Sequence, residues 1–376
     1  MNVLFTCGGT GGHINPAIAV ANIWKERHPE DNILFVGAKG HMEEDLVPKA
    51  GYALKTIPAT GMARGHSFSA IRHNVKAVKC VLGAVSACKK ILREYQPDVI
   101  LGTGGYASFP SLMAGTLLKI PTCVHESNAM PGLTTRLVAS RVDRVLVCFE
   151  ESIRHYRHQE KVQAVGMPVR REFVFTRRED ARKALGLGEE PVIVSAFGSL
   201  GARAMNEAVL GMLALEKADG FPFHHIHAAG SYGWEWMPQR VRELGIDLEN
   251  HPAIDMREYV YDMPTVMAAA DLVIGRAGAS SCNEITASGI PCILIPSPNV
   301  TDNHQEKNAR LLEERGGAVV LRESECTARR LYQEVTELLK DKPRRRRMRG
   351  SLMGMAVPDS AERICGIMEQ LARSRA

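Results

Sequence analysis

Six residues near the start of the chain, Gly8-Gly9-Thr10-Gly11-Gly12-His13, combine a backbone bare enough for close approach with one titratable side chain. They follow the apolar run Val3 to Thr6 and precede an alanine-rich, helix-forming stretch, so the glycines stand at a strand-to-helix turn. In such a turn backbone N–H groups reach a phosphate or sugar oxygen, and the helix N-terminus adds a partial positive charge. Four glycines in five positions exceed what a plain tight turn requires. A dinucleotide fingerprint fails on spacing, because G-x-G-x-x-G begun at Gly9 meets Ile14 where its third glycine should stand, and the second strand ends at Val36-Gly37 without a ribose-binding carboxylate. A P-loop fails too, since no Gly-Lys-Ser/Thr follows.

Three further loops repeat the pattern. Gly102-Thr103-Gly104-Gly105-Tyr106-Ala107-Ser108-Phe109-Pro110 follows the apolar run Val99 to Leu101, and two such loops in one domain suggest two phosphorylated ligands or one long one. Phe197-Gly198-Ser199-Leu200-Gly201-Ala202-Arg203 follows Pro191 to Ala196. Gly275-Arg276-Ala277-Gly278-Ala279-Ser280-Ser281-Cys282-Asn283-Glu284 follows Leu272 to Ile274. Small residues at that last helix start leave N–H groups open to a diphosphate, and Glu284, about a turn later, can accept from two neighbouring ribose hydroxyls. The competing reading is a solvent-facing helix start with an acid near its favourable end.

Alternating elements must position these loops. Val3 to Thr6, Ile33 to Val36, Val99 to Leu101, Thr122 to His125 and Val145 to Cys148 read as buried strands separated by helical stretches. The series restarts near mid-chain with Pro191 to Ala196, Phe223 to Ala228, Leu272 to Ile274 and Pro291 to Ile295. The restart predicts an α/β chain of two Rossmann-like domains, residues 1–165 and 166–350, followed by a C-terminal helix at 351–376 that packs back on the first domain. The hinge is expected near Val165 to Arg171, with a ligand at the carboxyl ends of both sheets.

Composition removes several function classes. The 376 residues carry 45% hydrophobic and 24% charged side chains, ordinary for a globular protein. A net charge of +5 with 6% aromatics and no basic stripe of stacking residues argues against a nucleic-acid groove. Nine cysteines form neither a CxxC pair nor a zinc spacing, so they read as free thiols of a reducing compartment. No basic leader and no spanning apolar stretch is evident, which predicts a cytosolic chain able to lie on a membrane. The run Arg344 to Arg347 reads most simply as a solvated face.

Taken together the loops resemble glycosyltransferases of the two-Rossmann-domain (GT-B) type, and within them the family of peptidoglycan synthesis that adds N-acetylglucosamine to undecaprenyl-linked muramyl-pentapeptide. The likeness rests on the four loops and on His125-Glu126-Ser127-Asn128, Gly166-Met167-Pro168-Val169-Arg170, Asp302-Asn303-His304-Gln305 and Asn308-Ala309, in the family's order and across nearly the whole chain. It implies transfer from UDP-N-acetylglucosamine to lipid I, giving lipid II with inversion at the sugar carbon. Carried over by the resemblance, Glu284 holds the ribose, Ser199 and the helix start Ala279-Ser280-Ser281-Cys282-Asn283 the diphosphate, and Val260 the uracil edge. Arg170 faces the diphosphate and Gln305 the sugar hydroxyls, while Thr10, Gly11, Gly12 and Asn128 complete the sugar pocket. Gly104, Gly105, Tyr106 and Ser108 face the acceptor. No metal or other cofactor is expected, because a guanidinium and helix N-termini can stabilise the departing diphosphate.

The attacking hydroxyl must lose a proton, and His13 is the first candidate general base, its alternative being a hydrogen bond to sugar or acceptor phosphate. Glu126 is the second, its alternative a structural carboxylate. The lipid acceptor implies a peripheral enzyme on the cytoplasmic membrane face, with proteins of cell-wall synthesis as further partners. The helix from about Ile71 to Leu92 reads as a core-facing stripe of Ile71, Val75, Val78, Leu82 and Val85, with Arg72, Lys76 and Lys79 on another face and a membrane patch in its first turns near Arg64 and Phe68. Three residues depart from the family pattern: Phe197 and Phe109 where glycines are usual, and His304 where a glutamine is frequent. Rivals are another GT-B member, such as a glycolipid synthase or nucleotide-sugar epimerase, and a catalytically silent UDP-sugar-binding regulator.

Overall fold

The computed structural model describes residues 1–58, 68–105, 107–249, 251–300 and 303–374, with side chains of the helix Phe68–Tyr95 described from Cys80 onward. Expectations resting on Arg64, Tyr106 and Asp302, and on the side chains of Phe68, Ile71, Arg72, Val75, Lys76, Val78 and Lys79, lie outside the described residues. The chain forms two compact units, Met1–Val169 with Val357–Ala376, and Arg170–Ala356.

The first unit is built on a seven-stranded parallel sheet in the order β3-β2-β1-β4-β5-β6-β7. Its strands are β1 (Asn2–Thr6), β2 (Asn32–Ala38), β3 (Ala53–Ile57), β4 (Val99–Gly102), β5 (Thr122–Glu126), β6 (Arg144–Val147) and β7 (Val162–Ala164). Successive side chains of a strand leave on opposite faces. Val3 and Phe5 therefore enter one core, with Ile14, Trp24 and Phe35, and Leu4 the other, with Leu92, Ile100 and Leu112. A sheet covered on both faces needs apolar side chains at every step, which is why the central strands are unbroken apolar runs. Thr6 pairs with Val36 on one side and Gly102 on the other, so the loops after β1, β2 and β4 leave the sheet at one level.

The second unit repeats the plan with six parallel strands in the order β10-β9-β8-β11-β12-β13. These are β8 (Val192–Ala196), β9 (His224–Ala228), β10 (Ile254–Arg257), β11 (Leu272–Gly275), β12 (Cys292–Leu294) and β13 (Ala318–Val320). Ala196 pairs with Ala228 and with Gly275, again aligning the loops at the carboxyl edge.

The unit boundaries differ from the expected ones, for local reasons. Residue 351 lies inside the helix Lys342–Met355, which starts where Asp341 accepts the Arg344 N–H at 2.8 Å, and only Val357 returns to the first unit. Gly166 belongs to the first unit, where a side chain on it would strike Val357 at 2.4 Å. The last helix, Ser360–Arg373, buries Ile364, Cys365, Ile367 and Met368 in the same core as Val20 and Trp24. The nine cysteines are free thiols, eight buried and Cys80 partly so.

Leu82 leaves the expected core stripe and is 66% exposed. The buried face of its helix is Ala84, Cys88 and Leu92, at four-residue spacing, with Val85 packed beside it. A helix turns about 100° per residue, so Leu82, two positions before Ala84, points well away from that face. Among the described residues no helix is long and apolar enough to cross a membrane.

Candidate active site

In the first unit Thr10 heads the helix Gly11–Arg27, capping it with extended backbone and without a side-chain bond. The first bonds of that helix run from the His13 and Ile14 amides to Thr10 O, which places the Gly11 and Gly12 amides ahead of them. A side chain on Gly11 would meet nothing described closer than 3.7 Å, so packing within the chain does not demand glycine there. Open space before a helix N-terminus is what an incoming oxygen needs.

His13 is held by Thr103. Its ring Nδ1 lies 3.0 Å from Thr103 O, and Thr103 Oγ1 donates to the His13 carbonyl at 2.6 Å. A carbonyl only accepts, so in the neutral ring Nδ1 carries the proton and Nε2 is the basic nitrogen.

Glu126 ends β5 and is buried, its carboxylate already surrounded by donors. One oxygen accepts from the Asn128 backbone N–H and Nδ2 at 3.0 Å each, the other from Gly132 N–H at 2.8 Å and Thr135 Oγ1 at 2.6 Å. Four donors thus occupy its two oxygens. These bonds tie the end of β5 to residues 128–135 and hold the Asn128 side chain. The preceding His125 is buried, its Nε2 donating to Gly166 O at 2.8 Å, and burial lowers its pKa.

The acceptor-facing group is corrected in part. Ser108 is fully buried, and its hydroxyl lies 2.8 Å from Thr6 O and 2.6 Å from Gly104 O, so it ties the two loops together and does not face a ligand. Gly104 and Gly105 have positive φ, and a Cβ would lie 2.6 Å from His13 Nδ1 and 1.9 Å from Gly8 O respectively. Their bareness is accounted for by the packing of one glycine loop on the other, and a second phosphorylated ligand is not needed to explain it.

In the second unit Gly278 caps the helix Ala279–Ser288, whose first internal bond runs from Cys282 N–H to Gly278 O at 2.9 Å. The amides of Ala279, Ser280 and Ser281 precede that bond. Cys282 is different: its amide is bonded and its side chain fully buried, so it lines the core. Asn283 folds its Nδ2 back onto Ala279 O at 2.7 Å. Glu284 is partly buried, and burial pushes its carboxyl up to about 7 against the opposing charge of Arg170. Arg170 is exposed and stacks over Phe173 at 5.1 Å.

Ser199 is exposed on the loop after β8, where its carbonyl accepts the Ser231 amide at 3.2 Å. Phe197 enters the core at 3% exposure, which anchors the base of that loop. Phe109 likewise packs against its own unit's core. Val260 is buried, while its chain neighbours Tyr259 and Tyr261 are exposed. Gln305 Oε1 accepts the Ser297 amide at 2.9 Å, which turns the other end of the carboxamide into the available donor. His304 opens the helix His304–Glu314 beside it.

Residues 3–147 match the glycosyltransferase family 28 N-terminal domain, and residues 192–364 match the family 28 C-terminal domain. A curated relative from Acetivibrio thermocellus is 38% identical over 377 residues, covering 100% of both chains, and one from Carboxydothermus hydrogenoformans is 39% identical over 379 residues, covering 100% of this chain and 99% of the relative. Both are named UDP-N-acetylglucosamine--N-acetylmuramyl-(pentapeptide) pyrophosphoryl-undecaprenol N-acetylglucosamine transferase. The crystal structure of Acinetobacter baumannii MurG superimposes with a TM-score of 0.76 at 25% identity, over 98% of this chain and 99% of that one. This chain belongs to the MurG family. Its fold is therefore the GT-B fold. UDP-N-acetylglucosamine 2-epimerases, such as that from Neisseria meningitidis, share that fold alone with the MurG-family chain, at 13% identity and a TM-score of 0.67.

Two residues of the first-unit site escaped the reading of the sequence. Thr103 stood inside a glycine loop with nothing to mark its grip on His13. Glu43, which accepts the Gly9 amide at 3.0 Å, heads the short helix Glu43–Lys49, a place where an acid carries no mark of that bond in the sequence.

Proposed function

We propose that this chain transfers N-acetylglucosamine from UDP-N-acetylglucosamine to the hydroxyl of undecaprenyl-diphospho-N-acetylmuramoyl-pentapeptide, inverting the sugar carbon and releasing UDP. Full-length identity of 36–39% to relatives named for that reaction carries the substrate assignment. The chain's own residues divide the work. The open amides of Ala279, Ser280 and Ser281, with Ser199 and Arg170, meet the negative charge that grows on the leaving diphosphate. Glu284 accepts from the ribose hydroxyls, the Val260 backbone meets the uracil, and the Gln305 amide meets the sugar.

The acceptor oxygen attacks the anomeric carbon as the bond to UDP breaks, and its proton passes to His13 Nε2. A neutral imidazole with its tautomer fixed by Thr103 is suited to this step near neutral pH. Thr10, Gly11, Gly12 and Asn128 line the sugar's approach. Gly104, Gly105 and Tyr106 face the acceptor.

The enzyme works as a peripheral protein on the cytoplasmic membrane face, where its lipid acceptor is. The exposed Leu82 on the helix Phe68–Tyr95 is consistent with an apolar contact there. Vesicle flotation with and without anionic lipid tests this, and failure to float with either vesicle removes it. The transfer itself is tested by following labelled sugar from UDP-N-acetylglucosamine into a lipid I analogue. Hydrolysis or epimerisation without a disaccharide product would overturn the assignment.

A further inference from the structure

One buried carboxylate has no part in the chemistry above. Glu43 is fully buried, and one of its oxygens accepts two main-chain N–H groups, from Gly9 at 3.0 Å and from Ala38 at 3.1 Å. Its second oxygen is buried with no hydrogen-bond partner among the described residues. The chain has made room for it: a Cβ on Gly8 would lie 2.8 Å from Glu43 Oε1, and one on Gly37 would lie 2.9 Å from Glu43 Cβ. Two glycines on two different segments thus give way to a single side chain.

A carboxylate is an expensive group to bury, and it is retained where its bonds fix something. The bonds of Glu43 run from the loop after β1 to the end of β2. Gly9, the residue it grips, has φ of +88° and is followed directly by Thr10, Gly11, Gly12 and His13. His13 is therefore tethered at two places, by Thr103 at its ring and carbonyl and, four residues upstream at the Gly9 amide, by Glu43.

We propose that Glu43 is a positioning residue for the transfer reaction, its buried carboxylate fixing the Gly9 backbone and through it the placement of Thr10 to His13. The proposal rests on the reading of His13 as the base. Glu43 touches neither sugar nor acceptor. Loss of its anchor should let the loop drift, and a displacement of about 1 Å at a general base is enough to cost on the order of 100-fold in rate. The donor's nucleotide is held by residues of the other unit, so its binding should not follow.

The test compares wild type, Glu43→Ala and Glu43→Gln as full-length proteins, with UDP-N-acetylglucosamine and a soluble lipid I analogue. Rates are scaled to the fraction of molecules that bind UDP, which removes any loss of folded protein. Glu43→Ala should lower kcat by about 30- to 100-fold with the donor KM within about twofold, while Glu43→Gln, which keeps an acceptor oxygen for both amides, should recover most of kcat. Hydrogen exchange at the Gly9 amide and the ring NMR signals of His13 give a readout independent of turnover. Both should change in Glu43→Ala and remain near wild type in Glu43→Gln. Unchanged Gly9 exchange, or altered exchange with undiminished kcat, overturns the proposal. If wild type itself transfers no sugar, or His13→Ala transfers normally, the functional reading fails instead, and the exchange data still decide whether Glu43 anchors the loop.

Discussion

Thr103 holds His13 at two points, accepting the ring Nδ1–H at 3.0 Å and donating its own hydroxyl to the His13 carbonyl at 2.6 Å. The first contact selects the tautomer, and the second fixes the backbone from which the ring projects. Replacing Thr103 by valine removes only the second. Thr103→Val should lower kcat about 3- to 10-fold and stability by about 1 kcal/mol, with Thr103→Ser restoring both. Steady-state kinetics and thermal melts check this.

Glu126 should behave as a structural carboxylate. Glu126→Ala leaves the Asn128 and Gly132 amides without their acceptor and should cost about 2–4 kcal/mol of stability. Activity will fall with it, because Asn128 loses its orientation. The acid limb of the pH–rate profile should stay where it is in Glu126→Gln, since the proton is proposed to pass to His13. A shift of that limb would restore Glu126 as the base.

Glu284 links stability and donor binding to pH in opposite senses. Burial raises its carboxyl to about 7 in the folded chain. Between the ordinary glutamate value and that one, the folded state holds more protons than the unfolded state, so stability falls as pH rises through the window. Glu284→Gln removes this penalty, and its melting temperature should exceed that of wild type by an amount that grows from about pH 5 to about pH 8. Only the ionised carboxylate accepts from two ribose hydroxyls, so the donor KM should fall over about pH 6 to 8 in wild type and be higher and flat in the variant. Differential scanning fluorimetry and donor KM measured across that range check both arms.

The contact between the two first-unit glycine loops has its own test. Gly105→Ala places a methyl group 1.9 Å from Gly8 O and should cost about 3 kcal/mol or more. Gly40→Ala, also at positive φ but with nothing described within 4 Å, should cost only the backbone strain of about 1 kcal/mol. Urea denaturation of the two variants separates close approach from strain.

The strands legible in the sequence are the sheet interiors. Every strand that the apolar runs marked lies inside a sheet, and the four that they missed, β3, β7, β10 and β13, are the four edges. An interior strand is buried on both faces and must be apolar throughout, whereas Ala-Leu-Lys-Thr-Ile in β3 exposes three of its five residues. The glycine loops were equally visible, but their reasons were not. Gly11 and Gly278 face no described neighbour closer than 3.7 Å, as a ligand-binding glycine should, while Gly104 and Gly105 answer to His13 and Gly8. Sequence shows that a residue is small and leaves hidden what presses against it. For the same reason the sequence could offer Ser108 as acceptor-facing, and Glu126 as either second base or structural carboxylate, without showing the hydrogen bonds each makes within the chain.

The base assignment is tested most directly by single-turnover transfer of labelled N-acetylglucosamine to a lipid I analogue by wild type, His13→Ala and Glu126→Gln, each scaled to its UDP-binding fraction. Wild type should give a labelled disaccharide product, His13→Ala a rate lower by about 100-fold or more, and Glu126→Gln a smaller loss. Near-normal transfer by His13→Ala together with loss in Glu126→Gln would contradict that assignment.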